Sequence, residues 1–271
     1  MSVPVAAVAM AAGAFVAAAT GVILVRRAPG RLLVVNHRGS RVPAVLGVGF
    51  VAGTAVGWGI VLAWGTPPTV GLEVIGAVGL VAAAGLLDDV AGHPARGFRG
   101  HFGSLVRGRP TTGILKLVVG VVVGVVLAIQ AGGGPIRVAA SAVLIVVSVN
   151  LWNALDVTPG RALKIGVVAL ATVLALSLGG PVAALAGTGL GAAVGLLPLD
   201  LAERGMLGDV GSNPLGLVAG LTIALVLPTW GVVLAAAIGL AIQVVAETVT
   251  ISRVIEAVPP LRWIDGLGRK P

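Results

Sequence analysis

The sequence predicts an all-α integral membrane protein: one transmembrane domain over residues 1–271, a polytopic bundle of about nine helices with the N-terminus outside and the C-terminus cytoplasmic. Three observations lead there. Residues are 57% hydrophobic and only 10% charged, whereas a soluble domain carries roughly 25% charged residues. Apolar runs long enough for a bilayer recur along the whole chain. The basic residues fall almost entirely in alternate loops.

A helix crosses the hydrocarbon core with about 20 apolar residues. On that rule the spans lie near 3–25, 42–64, 70–87, 111–130, 136–155, 163–179, 181–198, 213–227 and 229–250. The first has no convincing cleavage site before its arginines and reads as an uncleaved anchor. In the seventh, Gly187, Gly191 and Gly195 recur every four residues, the spacing of a closely packed helix face. The last two are separated only by Pro228 and its neighbours.

Cytoplasmic loops are then expected near 26–41, 88–110, 156–162, 199–212 and 251–271, and 17 of the 18 basic residues belong to them or to their edges. Arg137 alone lies on the other side. Lys and Arg retained on one side set orientation, which explains the net charge of +8 without nucleic acid as a partner. The absence of cysteine excludes disulfides, zinc thiolates and thiol chemistry. Acidic residues follow the basic ones, with Glu73 near an outer end and Glu247 inside the last span. Charge at mid-bilayer is costly, so carboxylates gathered on one face point to a site.

Four inner segments carry the candidate chemistry. Asp88 and Asp89 are adjacent where the third span leaves the membrane. Like charges side by side call for a compensating cation, or they mark a solvated helix end. Next comes 96–109, where arginines alternate with Phe98, Phe102 and Leu105 and lead to Lys116. That pattern suits phosphate binding or an interfacial lipid anchor. His93 and His101 in this region read as polar loop residues. In the third segment Asn150, Asn153 and Asp156 are three apart, on one helical face, fit for ligand contact or for hydrogen bonding between helices. The fourth runs from Gly208 and Asp209 through Gly211 and Ser212 to Gly216, just before the eighth span. Its glycines allow close backbone approach and its Asp can hold a divalent metal.

Together these motifs resemble the polyprenyl-phosphate N-acetylhexosamine-1-phosphate transferases, which include the bacterial translocase making the first lipid-linked peptidoglycan precursor. The resemblance spans most of the chain in the same order. Asn36, Arg38, Pro43 and Gly47 are similar to the segment entering the family's early Gly-rich span. Asp88-Asp89 and Lys116 match its aspartate pair and following lysine, and Asn150, Asn153 and Asp156 its Asn-x-x-Asn-x-x-Asp core. The segment from Gly208 to Gly216 is the closest match.

The resemblance implies a multi-pass enzyme of the bacterial plasma membrane that serves cell-envelope glycan synthesis. It would move a sugar 1-phosphate from a UDP-sugar to a polyprenyl phosphate with Mg²⁺ and release UMP. Asp88, Asp89 and Asp209 would be catalytic, with Asp209 and Asp89 holding the metal. Lys116, Asn150, Asn153, Asp156, Gly208, Gly211 and Ser212 would bind substrate. The Gly-rich faces permit a homodimer.

The chain departs from the family at the donor side. Where the family has a second aspartate after Asp156 this chain has Pro159, and no histidine follows His101 to form the family's His-rich loop. These losses favour a competing reading, a non-catalytic descendant that binds lipid phosphate or an envelope-assembly partner. A transporter is a third class. Transporters place ionisable groups near the midplane, where these spans are almost free of charge.

Overall fold

The computed structural model describes residues 3–36, 38–64, 68–91, 103–104, 106–108, 111–177 and 179–269. Among the described residues run nine principal helices: α1 (Val3–Arg27), α2 (Gly47–Ala63), α3 (Pro68–Ala91), α4 (Thr112–Ala131), α5 (Pro135–Leu155), α6 (Arg161–Leu176), α7 (Gly180–Leu201), α8 (Asp209–Val226) and α9 (Thr229–Thr248). Two short helices follow, α10 (Ile251–Ala257) and α11 (Pro259–Gly266). Between α1 and α2 a turn of 3-10 helix leads into a hairpin of β1 (Leu33–Val35) and β2 (Arg41–Pro43), which are antiparallel with Val34 opposite Val42.

Local chemistry explains the punctuation. Thr111 caps α4 by accepting from Ile114 N at 3.4 Å. Pro135 opens α5 and Pro181 sits in the first turn of α7, where a missing N–H costs nothing. Pro228 separates α8 from α9.

Seven of these helices, all but α2 and α6, are long and apolar enough to cross a bilayer, so the chain is a multi-pass membrane protein. The other two spans expected from the sequence are shorter helices, of 17 residues in α2 and 16 in α6. The first residues of the run 42–64 go to β2 and the turn after it, and α6 stops at Leu176, with Ser177 closing it. The eighth helix starts earlier than expected. Asp209 is its first residue, so the Gly-Asp motif is a helix start and not a loop before one. In the 96–109 segment, and before it, His93, Arg96, Phe98, Arg99, His101, Phe102, Leu105 and Arg109 lie outside the described residues.

Helix α8 is the hub, packing against α2, α3, α4, α5, α6 and α7. Its Leu215, Leu217, Val218 and Ala219 are wholly buried. Glycine lets its neighbours come close: a Cβ at Gly47 would run into the backbone of Gly211, and one at Gly216 into the carbonyl of Ser148. The α1–α7 contact uses the same device, with Gly191 against the Met10 carbonyl and Gly195 against that of Ala14. Gly187 does not join that face, since its nearest neighbour is Leu174 Cδ1 on α6, 3.9 Å from a Cβ placed there. The outward faces stay apolar, with Phe15, Val122, Ile129 and Val244 exposed, as a lipid-facing surface requires.

Candidate functional site

The polar end of the bundle is built on the turn that leads into α8. Met206 N donates to Pro43 O (2.8 Å), Leu46 N to Met206 O (3.0 Å) and Gly47 N to Leu207 O (3.0 Å). These bonds stitch residues 206–207 to the end of the hairpin and the start of α2. Gly208 then takes φ +67°, and a Cβ there would meet Ala44 O, so glycine is required for both conformation and space. The hairpin turn is held by Asn36, whose Oδ1 accepts from Arg38 N (3.0 Å) and Ser40 N (2.9 Å). Arg38 reaches back to Glu203 at 3.0 Å. The segment 36–47 therefore positions the 203–209 turn.

On this frame Lys116 from α4 lies between two carboxylates. Its ammonium is 3.1 Å from Asp88 Oδ2 and also bonds Asp209 Oδ2. Thr112, one turn earlier on α4, donates to the other oxygen of Asp88. Asn153 from α5, with its amide turned to satisfy both neighbours, donates to Asp209 Oδ1 (2.8 Å) and accepts from Lys116 Nζ (3.0 Å). Side chains of Lys116, Asp88 and Asp209 retain 14–18% exposure, so the cluster is shielded but not sealed.

The remaining aspartates have another task. Asp89 accepts from the backbone N–H of Asp209 (3.2 Å) and Val210 (3.1 Å). It caps α8 from outside, a carboxylate at the positive end of a helix. Asp156 Oδ2 accepts from Gly208 N at 2.9 Å. Both carboxylates thus hold the backbone on either side of Gly208 and fix where the Asp209 side chain stands. Burial, and then the charge of nearby Asp200, push the Asp156 carboxyl well above the usual carboxylate range. Buried Asp200 in turn holds Gly160 N at 3.0 Å.

The sequence-predicted residues therefore divide. Asp88, Lys116, Asn153 and Asp209 form one cluster, joined by Thr112. Asp89, Asp156 and Gly208 support it. Gly211 is used up in the contact with Gly47. Ser212 is fully buried and its Oγ has no partner among the described residues. Asn150 makes no hydrogen bond to the cluster among those residues. Thr112 went unnoticed in the sequence although its four-residue spacing from Lys116 puts both on one helix face. Asp89→Asn is expected to weaken the cap and lower stability by about 1 kcal/mol, read as a lower Tm in detergent, with Lys116 still bridging Asp88 and Asp209.

Beside the cluster, Asn36, Asp156, Thr158, Pro159, Asp200 and Glu203 line a narrow cleft. Its 157–160 wall is fastened by the C-terminal segment. Buried Arg161 grips Asp265 with two parallel bonds of 2.8 Å, and also reaches Ser252. Arg269 bonds Asp265 and Pro159 O, each at 2.8 Å. Lys164 caps the end of α11 through the carbonyls of Ile264 and Leu267.

Burial would raise the Asp265 carboxyl, but the hydrogen bonds and charge of Arg161, helped by Arg269, outweigh it and hold Asp265 below the usual carboxylate value. The free carboxyl ionises at about 3.9, and a depressed folded value means stability present above that pH and lost as pH falls through the lowered one. Release of α10 and α11 is expected below about pH 4, seen as faster proteolysis after residue 250. Asp265→Asn should show the same susceptibility at neutral pH.

Among the described residues, no group of three or more His, Asp or Glu side chains is arranged to enclose a metal. Comparison with protein-family models and with curated proteins finds no match.

Proposed function

We propose that the chain is a phosphoglycosyltransferase, moving a sugar 1-phosphate of the N-acetylhexosamine type from a UDP-sugar to polyprenyl phosphate. The observation that carries the reading is the single ammonium of Lys116 shared by Asp88 and Asp209 and bridged by Asn153. Residues from four distant segments thereby converge on one ammonium at a helix-bundle end. The polar end is assigned to the cytoplasmic side of a bacterial plasma membrane, on the strength of its basic residues.

The two carboxylates are the donor type that magnesium takes. That ion takes one or two carboxylates and completes its shell with water and phosphate oxygens, so it does not need a cage of three protein acids. Asp88 and Asp209 would hold it, and it would neutralise the diphosphate and the departing UMP. Asp89, expected as a ligand from the sequence, has both oxygens accepting from the α8 backbone and serves instead to position Asp209.

Transfer forms a bond from a lipid-phosphate oxygen to the sugar-bearing phosphorus and breaks the bond from that phosphorus to the bridging oxygen, which leaves on UMP. Lys116 would take charge from either phosphate. Asn153 holds Lys116 and Asp209 in register. The lipid enters sideways from the bilayer and the donor from water, which accounts for a site at their boundary.

The competing reading, a lipid-phosphate binder without turnover, draws on the 157–160 wall. There the family's second aspartate is replaced by Pro159, whose carbonyl is taken by Arg269. Mass spectrometry of lipids formed from a panel of UDP-sugars separates the two. A polyprenyl diphosphate sugar carries the enzyme reading. Lipid-phosphate binding with no product and no UDP-sugar affinity ends it.

A further inference from the structure

At the end of the bundle opposite the aspartates, a cavity of about 300 Å³ opens between α2, α3, α4, α7 and α8. Its position follows from helix geometry. Glu73 precedes Asp88 by 15 residues on α3, about 22 Å of helix, and Gln130 stands a similar rise beyond Lys116 on α4. The walls are apolar, from Val74, Leu127, Val182, Leu185, Leu221 and Leu225. Three polar side chains interrupt them: Glu73, Gln130 and Trp58.

Trp58 is the informative one. It is 1% exposed, and its indole N–H has no acceptor among the described residues. A buried donor without a partner costs about 1–3 kcal/mol, so such groups call for a ligand or water. A smaller pocket adjoins, sharing Trp58, Val74 and Leu185, and in it lies Thr54, whose hydroxyl also lacks a partner. The two make an apolar passage with a hydrogen-bonding depth and a carboxylate among its lining residues.

Charge selects the occupant. Glu73 is the only acidic residue the sequence places at this end, and Arg137 the only basic one. Arg137 is turned away from duty as an anion site, its guanidinium bonding Leu227 O (3.0 Å) and Ala224 O (2.7 Å) at the end of α8. A net-negative headgroup would meet an uncompensated carboxylate, whereas an ammonium would be matched by it.

We propose that this cavity binds a net-neutral, amine-headed glycerophospholipid. The ammonium pairs with Glu73, an ester carbonyl accepts from Trp58 Nε1, and an acyl chain fills the apolar passage. The site is separate from the aspartate cluster, and the inference stands whether or not the chain transfers sugar phosphates.

The test places the protein in nanodiscs with Trp58 as its sole tryptophan (Trp64, Trp152, Trp230 and Trp263→Phe). Quenching is measured with phosphatidylethanolamine or phosphatidylglycerol carrying brominated acyl chains. Half-maximal quenching is expected at about threefold lower mole fraction for the ethanolamine lipid, the size of an interfacial ion pair. Glu73→Gln should erase the difference. Equal quenching by both lipids, a preference for the glycerol lipid, or a preference unchanged by Glu73→Gln overturns the proposal. Native mass spectrometry of the unaltered chain and of Glu73→Gln gives the same comparison without touching the tryptophans: retained ethanolamine lipid that is lost in the variant supports it, and indifference to the variant overturns it.

Discussion

Asp209→Asn is expected to lower sugar-phosphate transfer by about three orders of magnitude, the scale on which loss of a key electrostatic group at a reacting centre is felt. The assay is product formation in washed membranes supplied with Mg²⁺, polyprenyl phosphate and UDP-N-acetylglucosamine. The substitution keeps shape and removes charge. It leaves the fold its anchors, because the bond to Asp89 comes from the backbone N–H of residue 209 and not from its side chain. Lys116 loses one of two carboxylate partners, and the proposed magnesium site loses one of its two carboxylates. Unchanged protein yield with lost turnover is the expected pairing. Full activity in this variant would end the enzymatic reading.

The largest effect on stability is expected from Gly47→Ala. The added methyl would stand within the backbone of Gly211, and its next neighbour is the Leu207 carbonyl. No flexible side chain is there to yield, so α2 and α8 must separate, at a cost of about 1–3 kcal/mol or more. Gly59→Ala is the matched control on the same helix. A Cβ there meets nothing within 4 Å, and alanine should add up to about 1 kcal/mol of helix propensity. Thermal unfolding in detergent should therefore move in opposite directions for the two. Gly47→Ala should also depress transfer, since Gly47 N holds Leu207 O just before the Gly208-Asp209 turn. Equal melting of both variants would remove the close-contact account.

Much of the architecture was legible because apolar run length maps directly onto a helix: helices stand where the nine runs lie, seven of them long and apolar enough to span. What the runs could not show is how the ends are used. Gly47 and Asp209 lie inside or beside apolar stretches, yet local backbone chemistry sets where α2 and α8 begin. The hairpin escaped notice for a related reason. Its strands of three residues are too short for a period-two pattern, and its anchor Glu203 is distant in sequence.

The candidate site was legible as a set of residue types and illegible as a set of roles. A carboxylate that accepts from a backbone N–H, like Asp89 or Asp156, carries the same letter as one that holds a cation, like Asp88. Only the direction of the side chain tells them apart. Ser212 shows how helix phase hides a role: on the helix that starts at Asp209 it is wholly buried, which the linear motif does not reveal. The Arg161–Asp265 grip joins residues 104 apart, and nothing in local pattern pairs them.

Helix α8 has a mean hydropathy of 1.4, the lowest among the seven candidate spans, while 78% of it is enclosed. Offered alone to lipid by the insertion machinery, such a segment partitions weakly, because each polar residue along it subtracts from the gain of its apolar ones. The helices it packs against most, α2 to α7, all precede it in the chain. Its cradle is therefore already synthesised when α8 leaves the ribosome, and the helix can be threaded into protein instead of being released to fat.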